Sequence, residues 1–180
     1  MNQVLTAIKE RRSVRKFQER PVEDEVLGQL LEAVQWSPSW ANTQCWEVVV
    51  VRDPALRQAL QATLGKGNPA TKAVVSAPLL LVMCAKLGQS GYYHGQVTTK
   101  FGDWFLHDLG IATQSLCLAA HSLGLGSVVV GLFDQDQAGQ ALGLPEGYQL
   151  VSMLPLGYPD QSPKPPARKE IAQFTHYDRF

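Results

Sequence analysis

A chain of 180 residues, 45% hydrophobic and 18% charged, suits one domain over 1–180 with a sizeable core, and its thin surface charge leaves room for a buried subunit interface. Lys plus Arg and Asp plus Glu both number 16, so the formal charge is zero, which argues against a nucleic-acid partner that would require a basic face. Cys45, Cys84 and Cys117 are widely spaced with no C-x-x-C pair, and the start "MNQVLTAIKERR" lacks a signal peptide's apolar run, so the simple reading is a reduced, cytoplasmic protein.

In chain order, residues 3–11 predict a short helix with Val4, Ala7 and Ile8 on one face. A second helix runs from about Glu23 to Trp36, where Val26, Leu27, Leu30, Leu31 and Val34 form an i, i+3, i+4 stripe and Pro38 stops it. "WEVVVVRD", 46–53, predicts a buried strand, and "PALRQALQATL" a helix with Pro54 near its first position. "LLLVMCA", 79–85, is a second buried strand. Residues 103–123 predict a long apolar helix; Gln114 and His121 interrupt it, so a core helix fits better than a membrane span. Its small residues Gly110, Ala112, Ser115, Ala119 and Ala120 permit close backbone approach, which favours a central interface helix over a purely intrachain one. "SVVVGLF", 127–133, is a third strand, "DQDQAGQALGLP" a short helix, and "YQLVSMLPLGYP", 148–159, a fourth strand. The tail opens with Pro and charge, which predicts an extended arm over about 160–180, reaching a partner. The connections are too irregular for a βαβ series, so the fold class is α+β, a sheet with helices on both faces.

Several motifs carry no chemistry. "GLGSVVVG" leads into a strand and has the wrong glycine spacing for a dinucleotide fingerprint, and "GKGNPAT" lacks a phosphate-loop pattern. No pair among His94, His107, His121 and His176 has metal-ligand spacing with a third ligand, so no metal is predicted. No nucleophile stands out, because Ser39 lacks a G-x-S-x-G context. Two segments remain. "RRSVRKF", 11–17, puts four cations into seven positions, which by itself also fits a solvated helix end complementing the dipole. "SPSWANTQCW", 37–46, by itself also fits an ordinary helix-to-strand loop.

Taken together the two segments resemble the flavin-dependent nitroreductase family. The family's R-R-S-x-R-x-F/Y pattern is matched by Arg11, Arg12, Ser13, Arg15 and Phe17, and its P-S-x-x-N-x-Q-P-W pattern by Pro38, Ser39, Asn42, Gln44 and Trp46. "AAHSLGLGSVVVG", "LPLGYP" and the later Arg168 follow in the family's order. Cys45 stands where the family usually has Pro, and Trp40 where a small residue is commoner. Residues 65–103 match least.

The resemblance implies a nitroreductase-like fold, a central, mostly antiparallel sheet flanked by helices on both faces, in an intertwined homodimer. It implies FMN at sites built from both chains, with NADH or NADPH as reductant. Arg11 and Arg168 would grip the FMN phosphate by forked hydrogen bonds. Arg12 and Ser13 would hold the ribityl chain or phosphate. Arg15, with Lys72, would put positive charge at the ring's pyrimidine edge, where reduction adds negative charge. Pro38, Ser39, Trp40 and Asn42 would come from the neighbouring subunit. Val129, Val130 and Gly131 would bring a backbone N–H to the flavin N5. No protein side chain would act as catalytic acid or nucleophile. The implied activity is ping-pong transfer from NAD(P)H through flavin N5 to a nitroaromatic, a quinone or a similar small-molecule acceptor. The alternatives are a dehalogenating or oxygen-using relative, a flavin-binding module without turnover, and a non-flavin interaction protein.

Overall fold

The structure is a computed structural model that describes residues 2–180. In chain order its elements are α1 (Gln3–Glu10), α2 (Asp24–Gln35), β1 (Trp46–Val51), α3 (Pro54–Ala62), α4 (Thr71–Ser76), β2 (Leu79–Lys86), β3 (Tyr92–Tyr93), β4 (Gln96–Val97), α5 (Phe105–Ser122), β5 (Gly126–Ser127), α6 (Gln135–Leu142) and β6 (Tyr148–Gly157). The predicted helices and strands recur within a few residues, except that the third strand is much shorter. Helix α4 and the small β3–β4 hairpin lie in the segment that the sequence pattern left unassigned.

The main sheet has the order β1-β2-β6-β5, and every pairing in it is antiparallel. Two apolar layers cover it, which explains the unbroken apolar runs of its central strands. In β2, Leu79, Leu81, Met83 and Ala85 face one layer, built with Leu30 and Val34 of α2 and Leu109, Ala112, Leu116 and Ala120 of α5. Leu80, Val82 and Cys84 alternate to the other layer, with Leu60 of α3, Ala73 and Val74 of α4 and Ala138 of α6. The valines of β1 divide likewise, Val48 and Val50 to the first layer, Val49 and Val51 to the second. Arg57 is buried between α3 and the sheet without a carboxylate. It donates instead to the carbonyls of Val51, Ala77 and Pro78, and burial pushes its pKa down.

The third strand is shorter than the predicted 127–133. Gly126 pairs with Gly157 and Ser127 with Leu156, and contact resumes only at the Val130–Met153 bridge. In that register Val128 faces Pro155, whose carbonyl accepts the Val128 N–H at 3.3 Å. Proline has no N–H to return, so the ladder lapses there. Helix α5 buries Leu109, Ala112, Thr113, Leu116, Cys117 and Ala120 within its own chain and leaves Leu106 61% exposed on the other side. The tail is extended except for one turn at Ile171–Gln173, with Ile171, Phe174, Tyr177 and Phe180 all exposed. Among the described residues, no helix is long and apolar enough to cross a membrane.

Candidate functional site

The cationic segment is pinned to the free edge of the sheet. Helix α1 ends at Glu10, and Arg11 turns extended, with ψ 131°. Ser13 bridges in parallel to Ser127, and the Val14 N–H donates to the Ser127 carbonyl at 2.9 Å. Val14 is buried against Gly126, where an added Cβ would lie 2.7 Å from the Val14 Cβ. The two glycines of "LGLGS" therefore have separate duties. Gly124, at φ +76°, reverses the chain after α5, and the Leu125 N–H returns to the Ala120 carbonyl at 2.8 Å. Gly126 leaves room for Val14. Farther on, Phe17 bridges Pro159, and the Asp160 N–H donates to the Lys16 carbonyl at 3.0 Å.

Pinned in this way, the segment walls two adjoining cavities. The first, about 480 Å³, takes Arg11, Arg12, Ser127 and His121, with Gln161 and Ser162 from the start of the tail. The second, about 890 Å³, takes Arg15, Lys16, Asn68 and Lys72, with Gln161 again. Each cavity also carries one carboxylate, Glu10 in the first and Asp160 in the second. Among the described residues the ion pairs are Arg20–Glu23 and Arg52–Asp24, with the His107 ring also close to Asp108, so the cations of both cavities lack a carboxylate partner. The Arg15 Nε is buried without a hydrogen-bond partner. Arg15 Nη1 donates to the Ser13 carbonyl at 3.4 Å, and Arg12 is held more closely. Its Nη1 donates to the carbonyls of Lys9 at 2.6 Å and Arg11 at 2.9 Å, so the helix-end role applies to Arg12 in addition to its place in the cavity.

Lys72 and Arg15, distant in sequence, thus meet in one cavity. Asn68 joins them. Its Oδ1 accepts the Ala70 N–H and its Nδ2 donates to the Leu132 carbonyl, which ties the 67–70 turn to the chain after Gly131. At 129–131 the Val130 side chain is core, and its N–H is spent on the Met153 carbonyl. Val129 is 50% exposed, and a Cβ on Gly131 would meet no protein atom within 4 Å. Arg168 is exposed and lines neither cationic cavity.

The second sequence motif forms a separate site. Pro38 and Asn42 line a cavity of about 440 Å³ with Trp36 and Gln44, sharing no residue with the cationic pair. The loop is strained. Ala41, Asn42 and Gln44 all have positive φ, at 46°, 56° and 49°. Ser39 braces it by accepting the Gln44 N–H on its hydroxyl at 3.0 Å, and Asn42 Oδ1 accepts from Gln44 Nε2 at 3.2 Å. Beneath the loop lies Asp108 of α5, 0% exposed, which accepts the Trp40 N–H at 3.0 Å. In the first turn of α5, His107 Nδ1 lies 3.4 Å from Asp108 Oδ1.

Cys45 occupies the end of this loop and donates its thiol to Asp108 at 3.7 Å. Burial, then the Asp108 charge and hydrogen bond, push the Cys45 pKa up to about 12. Burial pushes Cys84 to about 12 as well and raises Cys117. All three thiols are therefore expected to stay unmodified by a thiol-specific reagent at pH 8 in the native state and to react on unfolding. Modification of Cys45 in the folded protein would show that the loop opens.

The Nitroreductase family model matches residues 8–158. The chain is 32% identical to an NADH dehydrogenase of Thermus thermophilus, over 91% of this chain and 90% of that protein. It is 31% identical to the FMN reductase [NAD(P)H] of Bacillus subtilis, over 92% of this chain and 70% of that protein. The solved NADPH:FMN oxidoreductase of Vibrio harveyi, in complex with NAD+, superposes with a TM-score of 0.86 at 31% identity, covering 99% of this chain and 78% of that one. The cationic edge, the strained loop and the two-layered antiparallel sheet are thus arranged on a known scaffold, and the chain belongs to the nitroreductase family.

Proposed function

We propose that the protein is a single-domain, homodimeric, FMN-dependent oxidoreductase that takes hydride from NADH or NADPH and reduces a nitroaromatic, a quinone or a similar small acceptor in ping-pong alternation. The observation that carries this reading is the row of cations without a carboxylate partner, Arg11, Arg12, Arg15 and Lys16 with Lys72, along two adjoining cavities of a size that suits a cofactor. A buried guanidinium nitrogen without a partner, at Arg15, fits an acceptor group supplied by a ligand. The residues present therefore fit a flat ring system ending in a phosphate dianion.

Arg11 and Arg12 hold the phosphate end, with Ser13 beside them on the bridge to Ser127. Arg15 and Lys72 hold positive charge at the pyrimidine edge, and Asn68 adds a polar wall to the same cavity. The open backbone at Val129 and Gly131 gives the ligand an unhindered approach. Bound FMN supplies the hydride-accepting and hydride-donating ring atom, N5, so no side chain needs to act as nucleophile. The Pro38–Asn42 loop and Arg168 lie away from the cations in a single chain, which supports a second copy bringing the loop to the ring and the tail arm to the phosphate. The exposed apolar residues of the tail and Leu106 of α5 are the surfaces such a copy would cover.

The test is anaerobic. The purified protein should be yellow, bleach on addition of NADH or NADPH, and recover its colour when an acceptor is added. A yellow protein that neither nucleotide bleaches would make it a binding module instead. Two further results are expected. Arg15→Ala should leave FMN partly bound and lower its midpoint potential by about 30–60 mV, equivalent to ~1.4–2.8 kcal/mol for a two-electron couple. An unchanged potential at full occupancy would remove Arg15 from this role. Truncation from Ser162 onward should release both flavin and dimer on dilution, because site and interface are linked. A flavin-loaded monomer in sedimentation would defeat the shared-site architecture.

A further inference from the structure

Asp108 lines neither cationic cavity, yet its surroundings are too specific for packing alone. Three donors and one imidazole nitrogen converge on its two oxygens. The Trp40 N–H, at 3.0 Å, and His107 Nδ1, at 3.4 Å, meet Oδ1, whereas Ser90 Oγ, at 2.6 Å, and Cys45 Sγ, at 3.7 Å, meet Oδ2. They arrive from three separate places, the strained loop, the turn before β3, and α5 itself. Backbone strain of the kind seen at Ala41, Asn42 and Gln44 persists only where the surroundings over-determine it. A buried carboxylate that collects the loop's backbone is such a restraint.

The two segments tied by Asp108 also touch through aromatic rings. Trp40 meets Tyr93 edge-on, with centroids 6.2 Å apart, and Tyr93 meets His94 at 5.3 Å. Ser90 lies just ahead of Tyr93, and His94 is itself held at φ 50°. Asp108 therefore holds Trp40 through its N–H and, through the Ser90 hydroxyl, the chain three residues before Tyr93. Tyr93 is 61% exposed, so one side of the row is open. A row of three rings is longer than any single six-membered ring, and edge-to-face contacts add attraction beyond area.

We propose that Asp108 is a positioning residue that sets an aromatic wall of Trp40, Tyr93 and His94, and that this wall makes the site retain two-ring planar ligands in preference to one-ring ligands. The inference rests on the reading above, in which the Pro38–Asn42 loop lines the flavin site. The Cys45 thiol, standing where the family usually has Pro, belongs to the same restraint because it donates to the same oxygen as Ser90.

The experiment measures calorimetric binding of 4-nitrobenzoate and 4-nitro-1-naphthoate to the oxidised, FMN-loaded dimer and takes the ratio of the two Kd values. That ratio cancels effects common to both ligands. Trp40→Ala should lower the preference for the naphthoate about fivefold to tenfold. Asp108→Leu combined with Ser90→Ala keeps the core filled and leaves no orphaned hydroxyl; it should lower the preference to the same degree. Adding Trp40→Ala to that pair should cause less than a twofold further loss, because the residues act through one another. Asp108→Asn retains an oxygen for the Trp40 N–H, and Ser90 can accept from the new amide, so the preference should stay within twofold of the parent. Should the double variant not fold, Ser90→Ala alone frees the Tyr93 end and should lower the preference at least twofold. An unchanged ratio in Trp40→Ala would overturn the wall. A changed ratio there with none in the Asp108 and Ser90 variants would overturn the role of Asp108. A parent protein that carries no FMN would instead sink the functional reading.

Discussion

Arg11→Ala is expected to weaken FMN binding about tenfold to 150-fold, which corresponds to the ~1.5–3 kcal/mol of a hydrogen bond to a charged group. Arg11 sits at the C-terminus of α1, partly buried, and has no carboxylate partner among the described residues. Its cavity is also walled by Arg12 and the start of the tail. A guanidinium placed there presents a rigid fork of donors that matches a phosphate. Riboflavin lacks the phosphate, so the same substitution should change its Kd far less. Titration of apoprotein with both ligands checks this. Equal losses for the two would place Arg11 away from the phosphate.

Gly126→Ala is expected to be the more damaging change, although it removes no charge. The new Cβ would lie 2.7 Å from the Cβ and Cγ2 of Val14 and 2.8 Å from its Cγ1. Val14 is 5% exposed and cannot swing into solvent without breaking its N–H bond to Ser127. The segment from Arg11 to Phe17 must then move as a unit. Overpacking of this kind costs ~1–3 kcal/mol, which for a chain of this size lowers Tm by on the order of 5 °C. FMN affinity should fall at least tenfold, because Arg11, Arg12, Ser13 and Arg15 all ride on the displaced strand. Thermal unfolding and flavin titration of one variant test both parts. Loss of stability with unchanged FMN affinity would show that the cations are held independently of the Val14–Gly126 contact.

The contrast between these two variants separates what each kind of sequence signal could carry. Helices α2, α3 and α6 were legible because their apolar spacing and capping residues are local properties. Asp53 and Asp134 accept first-turn N–H groups, and Pro54 stands at the start of α3. The central strands were legible from unbroken apolar runs, since a strand covered on both faces needs no polar side. The third strand was overextended because "SVVVGLF" has strand-like composition, whereas its pairing depends on Pro155, a residue more than twenty positions away. Helix α4 is short, and its residues Ala73 and Val74 are buried by the sheet above them, so little in its own sequence marked it.

The site divides the same way. By itself the sequence showed four cations within seven residues of a neutral chain, a run that fits an anion site or a solvated helix end, and it pointed to the family through motifs in a fixed order. Tertiary structure alone decided where each cation lies and what it contacts. Arg12 is drawn to the carbonyls at the end of α1, Arg15 is left with a buried unpaired nitrogen, and Lys72 is brought to Arg15 by packing of α4 on the sheet. It also decided the part of Asp108, which in the sequence is one acid at the start of an apolar helix. Its meaning comes from Trp40, Ser90 and Cys45, 68, 18 and 63 positions away, which fold places around two oxygen atoms. Local spacing encodes periodicity and capping, because those forces act within a few residues. Hydrogen bonds between distant segments leave no spacing to read, because their register is set only when the sheet and helices have packed.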